Sequence, residues 1–257
     1  MMNQSLEETT QLLTELKLKS WPQALKRDFE TLPGKEKEII LSHLTKWSKE
    51  EKANRFTAQI ASRIRAAKFR QVQTIDNFDF TYSPATQKIK KNYFILHENI
   101  NPKNLPSAIF SGNAGMGKTH LSRALGYACC QNGMSVLFLT AAELVNRLTH
   151  AQKNYHLETE LNKYRRPQVL IIDELGYVTL DTQASNLFFQ VISARHDQGL
   201  GIIATTNLTF GKFNQIFAND AIAHAIVDRL VNGAEVFYME GTSYREHQRQ
   251  LKHKKGE

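Results

Sequence analysis

Eight consecutive residues, Gly112-Asn-Ala-Gly-Met-Gly-Lys-Thr119, match the pattern GxxxxGK[ST] in full. In this pattern the glycines let successive backbone N–H groups point at phosphate oxygens, the lysine reaches the β- and γ-phosphates, and the hydroxyl residue coordinates Mg²⁺. An apolar run precedes the pattern and a helical stretch follows it, so a helix N-terminus adds to the anion site. The sequence therefore predicts a site for ATP and Mg²⁺ formed by Gly112, Asn113, Ala114, Gly115, Met116, Gly117, Lys118, Thr119 and His120.

A second element is an apolar run, Val169 to Ile172, that ends in Asp173 and Glu174. An acid at the end of such a strand can hold Mg²⁺, so Asp173 joins Thr119 as a candidate metal ligand. The adjacent Glu174 can take a proton from an attacking water. An enzyme that transfers phosphate to a substrate hydroxyl needs no water activated in this way, so the Asp-Glu pair favours hydrolysis. The structural alternative is an acid that merely caps the next turn.

A third element, Thr205-Thr206-Asn207, ends the next apolar run. An amide or hydroxyl there can orient the attacking water or sense the γ-phosphate, and Asn207 becomes a candidate catalytic residue beside Lys118 and Glu174. Asn at the end of a strand is also an ordinary turn residue. Its place in the chain after the other two elements favours the catalytic interpretation.

The order of elements indicates how these residues are positioned. From about Thr74 onward, apolar runs alternate with helical stretches, which is typical of a parallel sheet covered by helices. Ligands bind at the carboxyl ends of the strands in such a sheet. The length of 257 residues suits one α/β domain with a smaller appendage, predicted as residues 74–257 and 1–73. Five strands are predicted: Ala108 to Ser111, Ser135 to Thr140, Gln168 to Asp173, Gly201 to Thr206, and Glu235 to Met239.

The first 73 residues predict a small, wholly helical domain. Ser5 to Glu8 has the form of a capping box, Pro33-Gly34 breaks the chain, and a long helix is predicted from about Lys35 to Arg70. Between residues 46 and 70, eight cations stand against two acids. This excess predicts either a solvated helix face or a surface that docks nucleic acid or a protein partner. The cations are Lys46, Lys49, Lys52, Arg55, Arg63, Arg65, Lys68 and Arg70.

The overall composition narrows the classes of partner. The formal net charge of +8 favours an anionic partner. No run of apolar residues is long enough to span a membrane, and the N-terminus lacks the pattern of a signal peptide. The two cysteines, Cys129 and Cys130, are adjacent and read as core thiols of a reducing compartment. We therefore expect a soluble cytoplasmic protein with no membrane partner.

Several runs together resemble one family: GNAGMGKTHLSRALG, TAAELVNRL, LIIDELGYVTL, TTNLTF, and a C-terminal stretch containing DRL and SYR. They are similar to the IstB-like ATPases, helper proteins encoded beside an insertion-sequence transposase, and through them to the helicase loader DnaC and the initiator DnaA. The resemblance covers most of residues 6–247. It implies an AAA+ fold and a homo-oligomer that forms with ATP on double-stranded DNA, largely independent of sequence. It also implies a partner transposase from the same insertion sequence.

The resemblance also assigns roles to two arginines near the C-terminus. Arg229 matches the arginine finger, which reaches the γ-phosphate in a neighbouring subunit, and Arg245 matches the sensor 2 arginine, which acts within its own subunit. The alternatives are that Asp228 and Arg229 form an ion pair on a helix surface and that Arg245 is a solvated residue of the tail. The short tail after Met239 leaves no room for the helical lid of most AAA+ proteins, so the lid is expected to be absent or reduced to residues 244–255.

The DNA contacts are expected between the second and third strands, in residues 141–167. Loader-type and initiator-type relatives insert an extra helix here, and cations on it would contact phosphates without reading sequence. A solvated helix is the alternative, and the basic helix of residues 46–70 is a competing site. The candidate DNA-binding residues are Arg147, Lys153, Lys163, Arg165 and Arg166.

Three functions fit these observations. The first is an ATPase that assembles on DNA and recruits or stimulates a transposase. The second is a DnaC-like loader of a replicative helicase. The third, from another class, is a P-loop kinase of a small molecule, which would phosphorylate an added acceptor and would not need to assemble on DNA.

Overall fold

The computed structural model of the protein describes residues 2–244. The chain divides into two compact units between Ser62 and Arg63, a point inside the third helix. Within residues 2–244, no helix is both long enough and apolar enough to cross a membrane.

The N-terminal unit is helical, as predicted. Its elements are α1 (Met2–Glu15), α2 (Trp21–Phe29) and the first part of α3 (Gly34–Ala66). The capping box at Ser5 is wrong, because α1 begins at Met2 and the Ser5 carbonyl accepts a hydrogen bond from the Thr9 hydroxyl one turn later. The predicted long helix also ends earlier than Arg70.

The second unit contains a five-stranded, wholly parallel sheet in the order β2-β3-β4-β1-β5, which confirms the predicted α/β class. The strands are β1 (Ala108–Gly112), β2 (Val136–Thr140), β3 (Val169–Asp173), β4 (Gly201–Thr206) and β5 (Glu235–Met239). β2 and β3 each begin one residue later than predicted. Instead, the Ser135 N–H donates to the Gln168 side-chain oxygen and the Gln168 N–H donates to the Ser135 hydroxyl. These two bonds join the residues that precede β2 and β3.

Helices cover both faces of the sheet because alternate residues of each strand point to opposite sides. On β1, Ile109 belongs to the core on one face, which is formed by the strands with α6 (Ala141–Lys153), α7 (Leu157–Arg165), α8 (Thr182–Asp197) and α9 (Asp220–Val231). Phe110 faces the other side, with α4 (Pro84–Glu98) and α5 (Lys118–Gln131). Each large apolar side chain buried in this way contributes roughly 1.5–3 kcal/mol relative to its exposed state.

The residues that follow α3 pack on the edge strand β2. The Ala67 carbonyl accepts a hydrogen bond of 2.8 Å from the Phe138 N–H, and the rings of Phe69 and Phe138 lie 6.1 Å apart. These contacts explain why the compact units divide near Ser62. The domain division between residues 73 and 74 remains a prediction.

A buried arginine joins the starts of β3 and β4. Arg195 of α8 is fully buried and donates hydrogen bonds of 2.6–3.1 Å to four backbone carbonyls, those of Tyr164, Pro167, Gln168 and Gly201. Burial lowers the pKa of this guanidinium to about 9. The four carbonyls replace the water that a charged group loses on burial. Nothing in the sequence around Arg195 marks it for this role.

Candidate functional site

The glycine-rich loop connects β1 to α5, as predicted. Two of its glycines are required by geometry. Gly112 has φ of +146°, and a Cβ there would overlap the Met239 carbonyl; Gly117 has φ of +90°, and a Cβ there would meet the Phe78 ring. The Lys118 ammonium group lies across the loop and donates to the carbonyls of Gly112 (2.6 Å) and Asn113 (2.7 Å). A cation therefore stands beside the N-terminus of α5, which is the arrangement of an anion site.

The chain that follows β5 packs against this loop. The Asn113 backbone N–H donates to the Met239 carbonyl and its side-chain amide to the Gly241 carbonyl, both at 3.1 Å. The Tyr244 N–H donates to the Gly115 carbonyl at 3.1 Å. Arg245 and nearly all of the predicted vestigial lid lie outside the described residues, so their predicted roles remain predictions.

The His120 side chain does not contact the phosphate loop in the way expected of a phosphate ligand. Its ring Nε2 lies 2.9 Å from the Thr74 carbonyl, and its ring packs edge-on against Phe78 at 5.3 Å. The imidazole is therefore engaged with the segment that precedes α4. A contact between His120 and a phosphate would have to come from its backbone N–H in the first turn of α5.

Asp173, the last residue of β3, accepts hydrogen bonds from a residue of α5 and a residue of β4. The carboxylate is 3% exposed, and its Oδ1 accepts from the hydroxyls of Thr119 (2.9 Å) and Thr205 (2.5 Å). β3 and β4 are neighbours in the sheet, which brings Thr205 beside Asp173. Two hydroxyls therefore fix the position of the carboxylate.

Glu174 follows in a strained conformation. Its φ of +62° lies in the left-handed region, which costs a residue with a Cβ of order 1–3 kcal/mol and is found most often at functional sites. The Thr205 hydroxyl accepts from the Glu174 N–H at 3.0 Å, and the Thr205 carbonyl accepts from the Leu175 N–H at 2.8 Å. These bonds hold the turn in place and leave the Glu174 side chain exposed next to Asp173.

Asn207 has an unsatisfied polar atom close to this group. Its side-chain oxygen is buried and accepts no hydrogen bond from any residue that the structure describes. Gly176 approaches so closely that a Cβ there would overlap this oxygen. Because a buried acceptor without a donor is unfavourable by about 1–3 kcal/mol, a water or ligand that donates to it would be stabilised here.

The phosphate loop, Asp173 and Glu174 lie at the carboxyl ends of the strands, which we call the nucleotide edge. Arg229 lies at the opposite ends of the strands. It is in the last turn of α9, where it donates to the Ala225 carbonyl (3.1 Å) and its guanidinium lies 5.0 Å from the centre of the Phe189 ring. With Ser107 and Gly233, which precede β1 and β5, it lines a cavity of about 220 Å³. The phosphate loop follows the other end of β1, roughly 15 Å away along a five-residue strand. Arg229 is therefore not part of its own chain's nucleotide edge.

The predicted DNA-binding cations lie on α6, on α7 and just after α7, but they are not equivalent. Lys163 pairs with Glu160 at 2.6 Å, and Arg165 pairs with Glu158 at 2.6 Å. Arg147, Lys153 and Arg166 are exposed. The extra excursion predicted for this segment is the second helix, α7.

The competing basic helix is partly neutralised by acids of its own unit. Three of the cations predicted on α3 form ion pairs of 2.6–2.7 Å. They are Lys49 with Glu8, Lys52 with Glu15, and Arg55 with Glu51. Pairing reduces the charge that this part of α3 can offer to phosphates.

Two residues at the nucleotide edge were not among the predicted site residues. Thr205 bonds both the Asp173 carboxylate and the Glu174 N–H. Gly176 has no Cβ, and a Cβ there would overlap the Asn207 side-chain oxygen. The Thr205-Thr206-Asn207 element predicted a functional hydroxyl or amide here, but the sequence did not indicate that Thr205 would bond Asp173. No pattern in the sequence indicated that Gly176 would pack against Asn207.

Comparisons with known proteins agree with this geometry. Residues 11–252 match the family described as IstB-like ATP binding protein. The chain is 35% identical over 196 residues to the ATP-binding protein of insertion sequence IS5376 of Geobacillus stearothermophilus, covering 76% of this chain and 77% of the relative. It is 31% identical over 250 residues to that of IS232 of Bacillus thuringiensis subsp. berliner, covering 95% and 96%. Among solved structures, the DnaC helicase loader shares the fold, with a TM-score of 0.56, 20% identity, and coverage of 65% of this chain and 96% of that one.

Proposed function

Because the chain belongs to the IstB-like ATP-binding proteins, we propose that it is the helper ATPase of an insertion sequence, which assembles on double-stranded DNA with ATP and assists the transposase of the same element. The fold is that of an AAA+ P-loop ATPase, and the chain binds ATP. One observation supports the assembly of several copies. The phosphate loop, Asp173 and Glu174 lie at the nucleotide edge, whereas Arg229 lies at the opposite ends of the strands. A second copy of the chain would be needed to bring Arg229 to the phosphates.

Mg²⁺ fits the donors at the start of α5. The Thr119 hydroxyl and the Asp173 carboxylate are oxygen donors 2.9 Å apart, and Mg²⁺ prefers oxygen ligands from one or two side chains together with phosphates. In our proposal Thr119 and Asp173 hold the ion, which when bound neutralises charge on the phosphates.

Hydrolysis is assigned to groups at the same edge. Lys118 and the backbone N–H groups of the loop bind the phosphates, Glu174 accepts the proton of the attacking water, and the Asn207 amide orients that water. Arg229 of a neighbouring copy would stabilise charge on the transferred phosphoryl group. Arg245 is proposed to contact the nucleotide of its own chain, which is supported by the bond that ties the preceding residue, Tyr244, to Gly115.

DNA binding is assigned to the exposed cations of the α6–α7 segment. Contacts of Arg147, Lys153 and Arg166 to phosphates would bind duplex DNA with little sequence preference. The named relatives are insertion-sequence proteins, which supports a transposase as the partner. The fold shared with DnaC keeps a helicase loader as the alternative, while family membership and the Asp173-Glu174 pair argue against a small-molecule kinase.

The test compares two variants of the nucleotide site in a DNA-binding assay with ATP. Lys118→Ala should lose both ATP binding and DNA binding. Glu174→Gln should keep ATP binding and form a longer-lived complex on duplex DNA, because it loads nucleotide but does not hydrolyse it. Equal loss of ATP binding in both variants would contradict the role of Glu174.

The partner is tested by adding either a transposase or a replicative helicase to the wild-type chain. Stimulation of strand transfer by the transposase of the same insertion sequence, dependent on ATP, supports the helper function. Loading of the helicase onto DNA, without any effect on the transposase, would establish the alternative.

A further inference from the structure

The turn between α6 and α7 presents an isolated aromatic side chain to solvent. Tyr155 is 99% exposed, and its φ of +57° lies in the left-handed region. It follows Asn154, the C-cap of α6, and precedes α7. The ring therefore contributes almost no packing to the fold as the structure describes it.

The backbone of this turn has the geometry of a Schellman motif. The His156 N–H donates to the Ala151 carbonyl at 3.0 Å, and the Tyr155 N–H donates to the Gln152 carbonyl at 3.3 Å. In this motif the residue after the C-cap adopts the left-handed conformation and is usually glycine, which has no Cβ to strain it.

Two other helices of the same unit end with this pair of bonds and do use glycine. α5 is followed by Gly133 and α8 by Gly199, at φ of +84° and +63°. Lys17 and Lys68 have similar positive φ values after α1 and α3, but a charged side chain is well solvated there. Only at the end of α6 does an aromatic ring take this position among the described residues. Both its backbone conformation and its hydration are unfavourable, so folding does not account for Tyr155.

The surroundings of the ring are basic. α6 and α7 enclose a shallow cavity of about 320 Å³ whose lining includes Arg147, His150, His156, Lys163 and Glu160. Glu160 is already bound to Lys163 and to the Tyr164 hydroxyl, both at 2.6 Å. Lys153, in the last turn of α6, is exposed two residues before Tyr155. An exposed ring beside the exposed cations Arg147 and Lys153 suits a polyanion that also carries flat apolar faces, which is the chemistry of a nucleic acid.

We propose that Tyr155 stacks on a base of the bound DNA, an inference that rests on the DNA binding proposed above. Arg147 and Lys153 of α6 hold phosphates of the bound DNA, and the ring adds a contact that a fully stacked duplex does not offer. Tyr155 therefore gives the protein a preference for DNA with unpaired or unstacked bases, without a preference for their identity.

The experiment measures the affinity of the full chain, with a non-hydrolysed ATP analogue, for a paired duplex and for the same duplex with a three-base bubble containing 2-aminopurine. Tyr155→Gly should weaken binding of the bubble by about 5- to 150-fold, the range for loss of one stacked base, and should abolish quenching of the 2-aminopurine. Tyr155→Phe, which keeps the ring, should retain both. The salt dependence should stay the same in all three, because no charge changes.

Thermal unfolding separates this effect from damage to the fold. Tyr155→Gly relieves the left-handed backbone, so its midpoint should equal or exceed that of the wild type, and its affinity for ATP should be unchanged. Gly199→Ala is the matched opposite change: it places a Cβ in the same backbone conformation and should lower the midpoint without weakening DNA binding.

Each other outcome has a definite meaning. If the wild-type chain binds neither DNA, the proposed DNA binding itself fails. If the wild type binds and Tyr155→Gly binds the bubble equally well, only the stacking role is overturned. If Tyr155→Gly binds DNA normally but no longer stimulates the transposase, the ring contacts a protein and the stacking role is likewise overturned.

Discussion

The nucleotide edge and the α6–α7 segment use polar residues in opposite ways. At the nucleotide edge Asp173 is 3% exposed and held by two hydroxyls, and Lys118 is held by two carbonyls. On the α6–α7 segment, Arg147 and Lys153 are exposed, as is Tyr155. Phosphoryl transfer requires groups held in advance where charge develops, whereas contact with a phosphate backbone needs charge but little fixed geometry. Substitutions at the first region should therefore have large effects on rate, and those at the second graded effects on affinity.

The largest effect is expected at Arg229. Arg229→Ala should bind ATP almost normally and lose hydrolysis by about 10³ to 10⁵, the contribution of an arginine supplied in trans. Mixing Arg229→Ala with Lys118→Ala should restore activity at intermediate ratios, because a wild-type arginine then faces an intact loop in some pairs. If mixed particles form and ATPase activity stays at background at every ratio, Arg229 does not act between subunits.

A smaller effect on rate is expected at Thr205. Thr205→Val removes the hydroxyl that bonds both Asp173 and the Glu174 N–H, so kcat should fall by about 10- to 100-fold, the range for one misplaced group in a preorganised site. Thr206→Val is the matched control, because among residues 2–244 that hydroxyl bonds only the Leu208 N–H, at 3.1 Å. Steady-state ATPase assays compare the two. Equal loss in both variants would mean that strand β4, and not the Thr205 hydroxyl, carries the effect.

The cations proposed to bind DNA should differ in effect according to whether they form ion pairs. Lys153→Ala should weaken binding of duplex DNA and reduce the salt slope by about one, as expected for one lost phosphate contact. Lys163→Ala should change the slope less, since Lys163 is paired with Glu160. Titrations from low to moderate salt measure both. Identical slopes for the wild type and Lys153→Ala would remove Lys153 from the interface.

The smallest effect concerns α6, whose N-terminus lies at the sheet and whose C-terminus carries Tyr155. The Glu143 carboxylate accepts from the Thr140 N–H (3.0 Å) and from Arg70 (2.9 Å), and these bonds lower its pKa below the ordinary value of 4.5. A carboxylate with a lowered pKa stabilises the fold above the ordinary value, and this contribution is lost as pH falls through the lowered one. Glu143→Gln should therefore reduce stability at pH 7 and lessen its decline below about pH 4.5. Urea unfolding at both pH values measures this, and parallel declines would contradict it.

Most of the nucleotide edge could be predicted because its residues are consecutive. The loop from Gly112 to Thr119 and the pair Asp173-Glu174 carry their chemistry within a few residues of chain, so spacing alone indicated them. The predicted strands were correct to within one residue for the same reason, since each is a short apolar run bounded by turn residues. The capping box at Ser5 was wrong because a local pattern cannot show where a helix that packs against its neighbours begins.

By itself, the sequence determined the α/β class, the positions of the five strands, and the candidate residues for binding ATP. Only the tertiary structure decided which residues far away in the sequence form hydrogen bonds, close contacts or ion pairs with the predicted site residues. It brings Thr205 to Asp173 and Gly176 to Asn207 through the order of the strands, and it pairs Lys163 and Arg165 with acids while Lys153 remains exposed. It also places Tyr155 in a left-handed turn where α5 and α8 have glycine. The physical reason is that pairing, burial and strain depend on which groups meet in space, and residues far apart in sequence carry no local signal of that meeting.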